Sequence, residues 1–138
     1  MTRNDYTGDL AFLSNSYVSS VYIDGKRYPT VAHAYVAMKT TDETLRASVR
    51  ALKTPREAYS VGHKFKVRPD WNTIRDQTML DILRKKFVSP FLADQLRNVS
   101  DEQLGDGWLA SLLRKVRVEV IAQNKEDNKV VDSHHSGV

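Results

Sequence analysis

FLSNSYVSSVYIDGKRYPTVAHAYVAMK, residues 12–39, decides the reading of the chain, because it sets a polar turn, a hairpin and an amphipathic helix within 28 residues. Asp24-Gly25 lies between the β-prone runs VSSVYI and KRY, and a D-G pair supplies the positive φ angles that a tight hairpin turn needs. Pro29 then stops the ladder, and Thr30 is placed to cap a helix opening at VAHAYVAMK, its hydroxyl accepting from amides of the first turn. Residues 32, 35, 36 and 39 share one face of that helix, with 32 and 39 about 10 Å apart over two turns. The face reads Ala32, Tyr35, Val36, Lys39.

Outward from this stretch, helix starts recur. Thr41 is expected to open TDETLRASVRAL, with acidic residues in the first turn and arginines later, complementing the helix dipole. Thr54-Pro55 opens REAYSVGHKF, which Gly62 weakens or ends. Asp70 is the candidate cap of the best-patterned long helix, where Trp71, Ile74, Thr78 and Ile82 form one stripe and Met79, Leu83 and Phe87 the next. Ser89-Pro90 caps PFLADQLRN, and Asn98 and Ser100 are expected to open a polar loop. A last helix is predicted over about residues 108–121, with Leu109, Leu112, Leu113, Val116 and Val120 on the core side. Residues 1–11 have no periodicity and form a loose lead-in. The fold class is therefore mainly α (α+β), one compact helical domain over residues 1–122 with a small N-terminal hairpin and a mobile polar tail over 123–138.

Length and composition agree with this. At 138 residues a single domain buries about 60% or more of its unfolded surface. With no cysteine, disulfides and thiolate metal sites are excluded. The first residues lack the apolar run of a signal peptide, and mean hydropathy is −0.49, so a soluble, cytoplasmic protein without a membrane role is expected. The net charge of +4, with 21 cationic and 17 anionic residues, suits a phosphate-bearing or nucleic-acid ligand as well as an ordinary solvated surface. His33, His63 and the His134-His135 pair find no third ligand at usable spacing, so no metal is expected.

Several residues carry chemistry, each beside a structural alternative. Ser14 and Asn15, between Leu13 and Tyr17, either make a local turn or orient a hydroxyl-rich ligand. Lys39 is either a lysine whose stem covers apolar neighbours or a desolvated amine able to form an imine with an opened ribose. His33, turned about 100° from residue 32, orients a loop or sits in the core. Trp71 and Arg75, one turn apart, either stack a base and fork a phosphate or cover the helix start together. Lys86 meets a phosphate or is a surface lysine. Asp106, between two glycines before the last helix, binds a hydroxyl or water or caps that helix.

FLSNSY, IDGKRYPTVAH and Lys39, followed by GHKFKVRPDW (62–71), Arg75, Met79, Lys85–Phe87 and GWLASLLRKVR (107–117), resemble the NADAR family of YbiA-like N-glycosidases over roughly residues 12–118. The resemblance implies a mainly helical fold and hydrolysis of the N-glycosidic bond of a ribose derivative: ADP-ribose attached to guanine, or a riboflavin-pathway ribosylamine. It implies catalytic roles for Lys39 and for position 32, and ligand contacts from Ser14, Asn15, His33, Trp71, Arg75, Lys86, Asp106 and Trp108, without a cofactor. The partner expected is a ribosylated nucleotide or ADP-ribosyl ligand, free or on nucleic acid. Two departures stand out. Where the family has Glu-His, this chain has Ala32-His33, so the carboxylate assigned to catalysis is a methyl group; and the acidic, glycine-rich loop before the last helix is compressed to SDEQLGDGW. Hydrolysis impaired by Ala32 is the first expectation. A binding protein for ADP-ribose-like nucleotides on the same scaffold is the second, and a small basic nucleic-acid-binding helical protein the third, though no known DNA-binding helix pair or RNA-binding aromatic motif is present.

Overall fold

The computed structural model describes residues 6–136, and side chains as far as Glu126. It is mainly helical with one small two-stranded sheet, as the caps and the D-G turn indicate. Backbone contacts group the chain into two compact units that divide between Lys86 and Phe87.

The first unit opens with a 3-10 helix, Gly8–Leu13, within the stretch expected to be a loose lead-in. β1 (Val21–Ile23) and β2 (Lys26–Tyr28) pair antiparallel, with Val21 opposite Tyr28 and Ile23 opposite Lys26. Asp24 at φ 52° and Gly25 at φ 76° form the turn, the left-handed pair that lets two short strands twist correctly. Val21 and Tyr28 point to the core.

α1 (Val31–Ala37) is the hub: it packs on β1, β2, α2 (Glu43–Arg50), α3 (Pro55–Gly62) and α4 (Trp71–Lys86). The Thr30 hydroxyl accepts from the His33 amide at its start, and its small residues Ala32, Ala34 and Ala37 let neighbours approach closely. Gly62 serves the same purpose from α3, since a Cβ there would stand 2.8 Å from Val36 Cγ1. α1 is shorter than expected. It ends at Ala37, and Lys39 lies past the C-cap Met38, so residues 32 and 39 are not held two helical turns apart.

Asp42, not Thr41, caps α2, accepting from the amides of Thr44 and Leu45. Thr54 and Glu57 cap α3 reciprocally, with Pro55 at the first helical position. Asp70 precedes α4 as expected, its backbone carbonyl accepting from Thr73 and Ile74, while Arg68 grips its carboxylate.

The second unit holds α5 (Pro90–Arg97), α6 (Asp101–Leu104) and α7 (Trp108–Ser136). The polar loop expected at Ser100 is instead a single helical turn, because Ser100 and Gln103 satisfy each other's backbone amides as a capping box. Arg114 and Arg117 on α7 both reach Asp101, and Arg117 also bonds the Val99 carbonyl at 2.7 Å. The boundary expected at residue 122 falls inside α7. The side chains of His134 and His135 lie outside the described residues. Among the described residues no helix is long and apolar enough to cross a membrane, and no group of three or more His, Cys, Asp or Glu is arranged to hold a metal ion.

Candidate functional site

The first unit brings Ser14, Asn15, position 32 and Lys86 together. The FLSNSY loop folds back on α1 through a hydrogen bond from the Ala32 amide to the Asn15 carbonyl, 3.0 Å. Its turn is made by Ser14, whose hydroxyl accepts from Ser16 N at 3.0 Å and whose carbonyl accepts from Tyr17 N at 3.2 Å. From α4, the Lys86 ammonium donates to the Ser14 carbonyl at 3.0 Å and lies 5.7 Å from the centroid of the Tyr17 ring. Lys86 is 1% exposed, which corrects its reading as a surface lysine. Burial lowers its pKa to about 7, because moving a cation out of water favours the neutral amine. The Asn15 side-chain carbonyl Oδ1 is buried and accepts no hydrogen bond. Leaving such an acceptor unmet costs about 1–3 kcal/mol.

Ala32 itself is fully buried. His33 beside it has both ring nitrogens engaged: Nδ1 lies 2.8 Å from the Thr30 hydroxyl oxygen and Nε2 lies 3.0 Å from the Leu52 carbonyl. A carbonyl only accepts, so Nε2 carries the proton. The Thr30 hydroxyl, already accepting from the His33 amide, donates to Nδ1. Burial pushes the His33 pKa down, favouring this neutral tautomer. The ring is thus a tie between the start of α1 and the end of α2.

A second cluster surrounds Tyr35, one turn after Ala32. The Tyr35 and Trp71 ring centroids are 5.0 Å apart with planes tilted by 59°, within the range of separations at which aromatic pairs attract. Lys39 Nζ stands 5.8 Å from the Tyr35 centroid, and Lys39 is half-buried. Burial raises the Tyr35 pKa, opposed by the charge of Arg75. Trp71 is 7% exposed, with Tyr35 against its ring. The Arg75 side chain is 51% exposed, with Nε 3.6 Å from Asp76 Oδ1. A cleft of about 520 Å³ adjoins Lys39, lined by Thr40, Thr41 and the run from Lys66 to Asp70. The Arg68 amide joins it to Lys39 by donating to the Lys39 carbonyl at 2.8 Å.

Asp106 and Trp108 belong to the second unit. Asp106 is exposed between Gly105 at φ 75° and Gly107 at φ 113°, and Trp108, 38% exposed, is the first residue of α7. No ligand role was expected from the sequence for Tyr17, Tyr35 or the cleft residues. The first two stand inside the stretch that organises the chain, at Lys86 and Lys39 respectively, whereas the cleft forms from segments far apart in sequence.

No family model matches the sequence. The chain is 34% identical to the N-glycosidase YbiA of Escherichia coli (strain K12) over 88 residues, 62% of this chain and 52% of that protein. It is 32% identical to the riboflavin biosynthesis protein VVA0006 of Vibrio vulnificus (strain YJ016) over 96 residues, 67% of this chain and 26% of that protein. The chain thus spans about half the length of the YbiA relatives it matches. Its fold is similar to the NMR structure of E. coli YbiA, with a TM-score of 0.74 and 25% identity, covering 91% of this chain and 86% of that one.

Proposed function

We propose that this chain, which is similar to the YbiA N-glycosidases in sequence and fold, binds a ribose derivative at the Asn15–Ala32 face of the first unit, with hydrolysis of the N-glycosidic bond impaired by Ala32. The substrate class is a ribosylated base or amine: ADP-ribose attached to guanine, or a riboflavin-pathway ribosylamine. One observation carries the reading. The Asn15 Oδ1 is buried and unmet in a loop whose own backbone is tied to residue 32, so a hydroxyl donor held by Asn15 stands beside the position where a carboxylate would act.

N-glycosidic cleavage develops positive charge at the ribose C1 and needs a proton for the departing nitrogen. A carboxylate at position 32 would supply both; a methyl group supplies neither. Lys39 is the amine that attacks C1: its nitrogen displaces the base nitrogen, which leaves with a proton; the ribosylamine so formed opens to an imine as the C1–ring-oxygen bond breaks and the ring oxygen takes the proton from the lysine nitrogen, and water then releases the sugar from the imine. Lys86 acts one step removed, holding the Ser14 carbonyl and with it the loop that presents Asn15.

A second reading, a binding protein that does not turn its ligand over, is favoured by the full burial of the Ala32 methyl. Calorimetric titration with ADP-ribose tests the shared part of both. Binding is expected, and Asn15→Ala should weaken it by about 1–3 kcal/mol; absence of binding, or an unaffected Asn15→Ala, contradicts the site.

A further inference from the structure

The cleft beside Lys39 holds an arrangement that the Asn15 site does not use. Arg68 presents two guanidinium nitrogens to both oxygens of Asp70, Nε to Oδ1 at 2.6 Å and Nη2 to Oδ2 at 3.1 Å. This is the two-pronged geometry in which a guanidinium grips any anion with paired oxygens. The Arg68 backbone is fixed by its bond to the Lys39 carbonyl, so the fork is held at the cleft wall. Lys66 and Thr41, both exposed, add a second cation and a hydroxyl to the same lining.

The Asp70 side chain is 50% exposed and that of Arg68 is 24% exposed. An ion pair so open to water is weak, about 0–1 kcal/mol, and a more highly charged anion can replace the carboxylate. A phosphoryl group carries the same pair of oxygens with more charge.

We propose that this cleft is a phosphoryl-binding subsite built from Arg68, Lys66 and Thr41, in which Asp70 is an internal competitor for the Arg68 fork. Its neighbours give it a place in ligand recognition. Thr40 and Thr41 follow Lys39 directly and Asp70 precedes Trp71, so a phosphate seated here continues from a sugar held at Lys39. The subsite rests on the proposed function only for the identity of the molecule that carries the phosphate.

Inorganic pyrophosphate, which has neither ribose nor base, reports on the cleft alone. Titrated calorimetrically into the full chain at low ionic strength, it is expected to bind saturably. Arg68→Gln should weaken binding about tenfold, as lost charge-assisted bonds do. Lys66→Gln should weaken it about threefold, the scale of an exposed charge. Asp70→Asn removes the competitor and should tighten binding about threefold, a gain that no loss of folding can mimic. No saturable binding by either the unaltered chain or Asp70→Asn, or affinities unchanged across all three variants, would overturn the subsite. Because pyrophosphate cannot report on Asn15, that result leaves the ADP-ribose titration and its Asn15→Ala variant to stand or fall separately.

Discussion

Lys86 and Ser14, 72 positions apart in sequence, are joined by a hydrogen bond of 3.0 Å from a buried ammonium to a backbone carbonyl. The bond fastens the end of α4 to the loop whose next residue, Asn15, meets Ala32. A single burial therefore links the longest helix of the first unit to the proposed ligand face.

The burial has a pH signature. Lys86 titrates at about 7 in the folded chain, from an ordinary value of 10.5. Between those values the unfolded chain binds a proton that the folded chain does not, so raising the pH removes an advantage of the unfolded state. Stability contributed by Lys86 should rise from about pH 7 toward pH 10 by an amount on the order of a few kcal/mol, and be flat below pH 7. Urea unfolding at pH 7, 8.5 and 9.5 should show that rise in the unaltered chain and a flatter profile in Lys86→Met. Parallel profiles would show that the amine titrates normally.

His33 should act at the acid end. Its folded pKa lies below the usual 6.5, so as pH falls through 6.5 the unfolded chain takes up a proton first and stability declines. His33→Ala should remove that decline and lower stability at pH 7.5 by about 1–3 kcal/mol for each partner left unmet at Thr30 and Leu52. An acid decline of the same size in His33→Ala would assign it to other groups.

Close packing of α1 on α3 makes a third expectation. Gly62→Ala places a methyl 2.8 Å from Val36 Cγ1 and should cost about 1–3 kcal/mol by overpacking. Adding Val36→Ala should recover part of that loss, a coupling that a double-mutant cycle measures directly. Strictly additive effects would mean that the two side chains do not press on each other.

The sequence made much of the fold legible through local signals. Asp24-Gly25 marked the hairpin because few other pairs adopt two left-handed residues, and Thr30, Thr54 and Ser89 marked helix starts by their side-chain oxygens. The turn at Ser100 carried the same kind of signal in its S-x-x-Q spacing. The early end of α1 did not, since Met38 and Lys39 are good helix formers. The burial of Lys86 was readable in part: it lies seven residues after Met79 and four after Ile82, on the buried stripe of α4. The Asn15–Ala32 bond, the Trp71–Tyr35 contact and the cleft at Arg68 join residues distant in sequence, and no periodicity reports them.

One mass-spectrometric assay tests the role of position 32. The unaltered chain and Ala32→Glu, each verified as folded by circular dichroism, are incubated with ADP-ribosylated guanosine and with a riboflavin-pathway ribosylamine, and release of ADP-ribose or ribose is followed. Slow or absent release by the unaltered chain is expected, with a gain of about 10²–10⁴ in Ala32→Glu, the usual worth of a positioned acid or base, abolished again by adding Lys39→Ala. Cleavage by the unaltered chain at a rate comparable with Ala32→Glu would contradict the role assigned to this position.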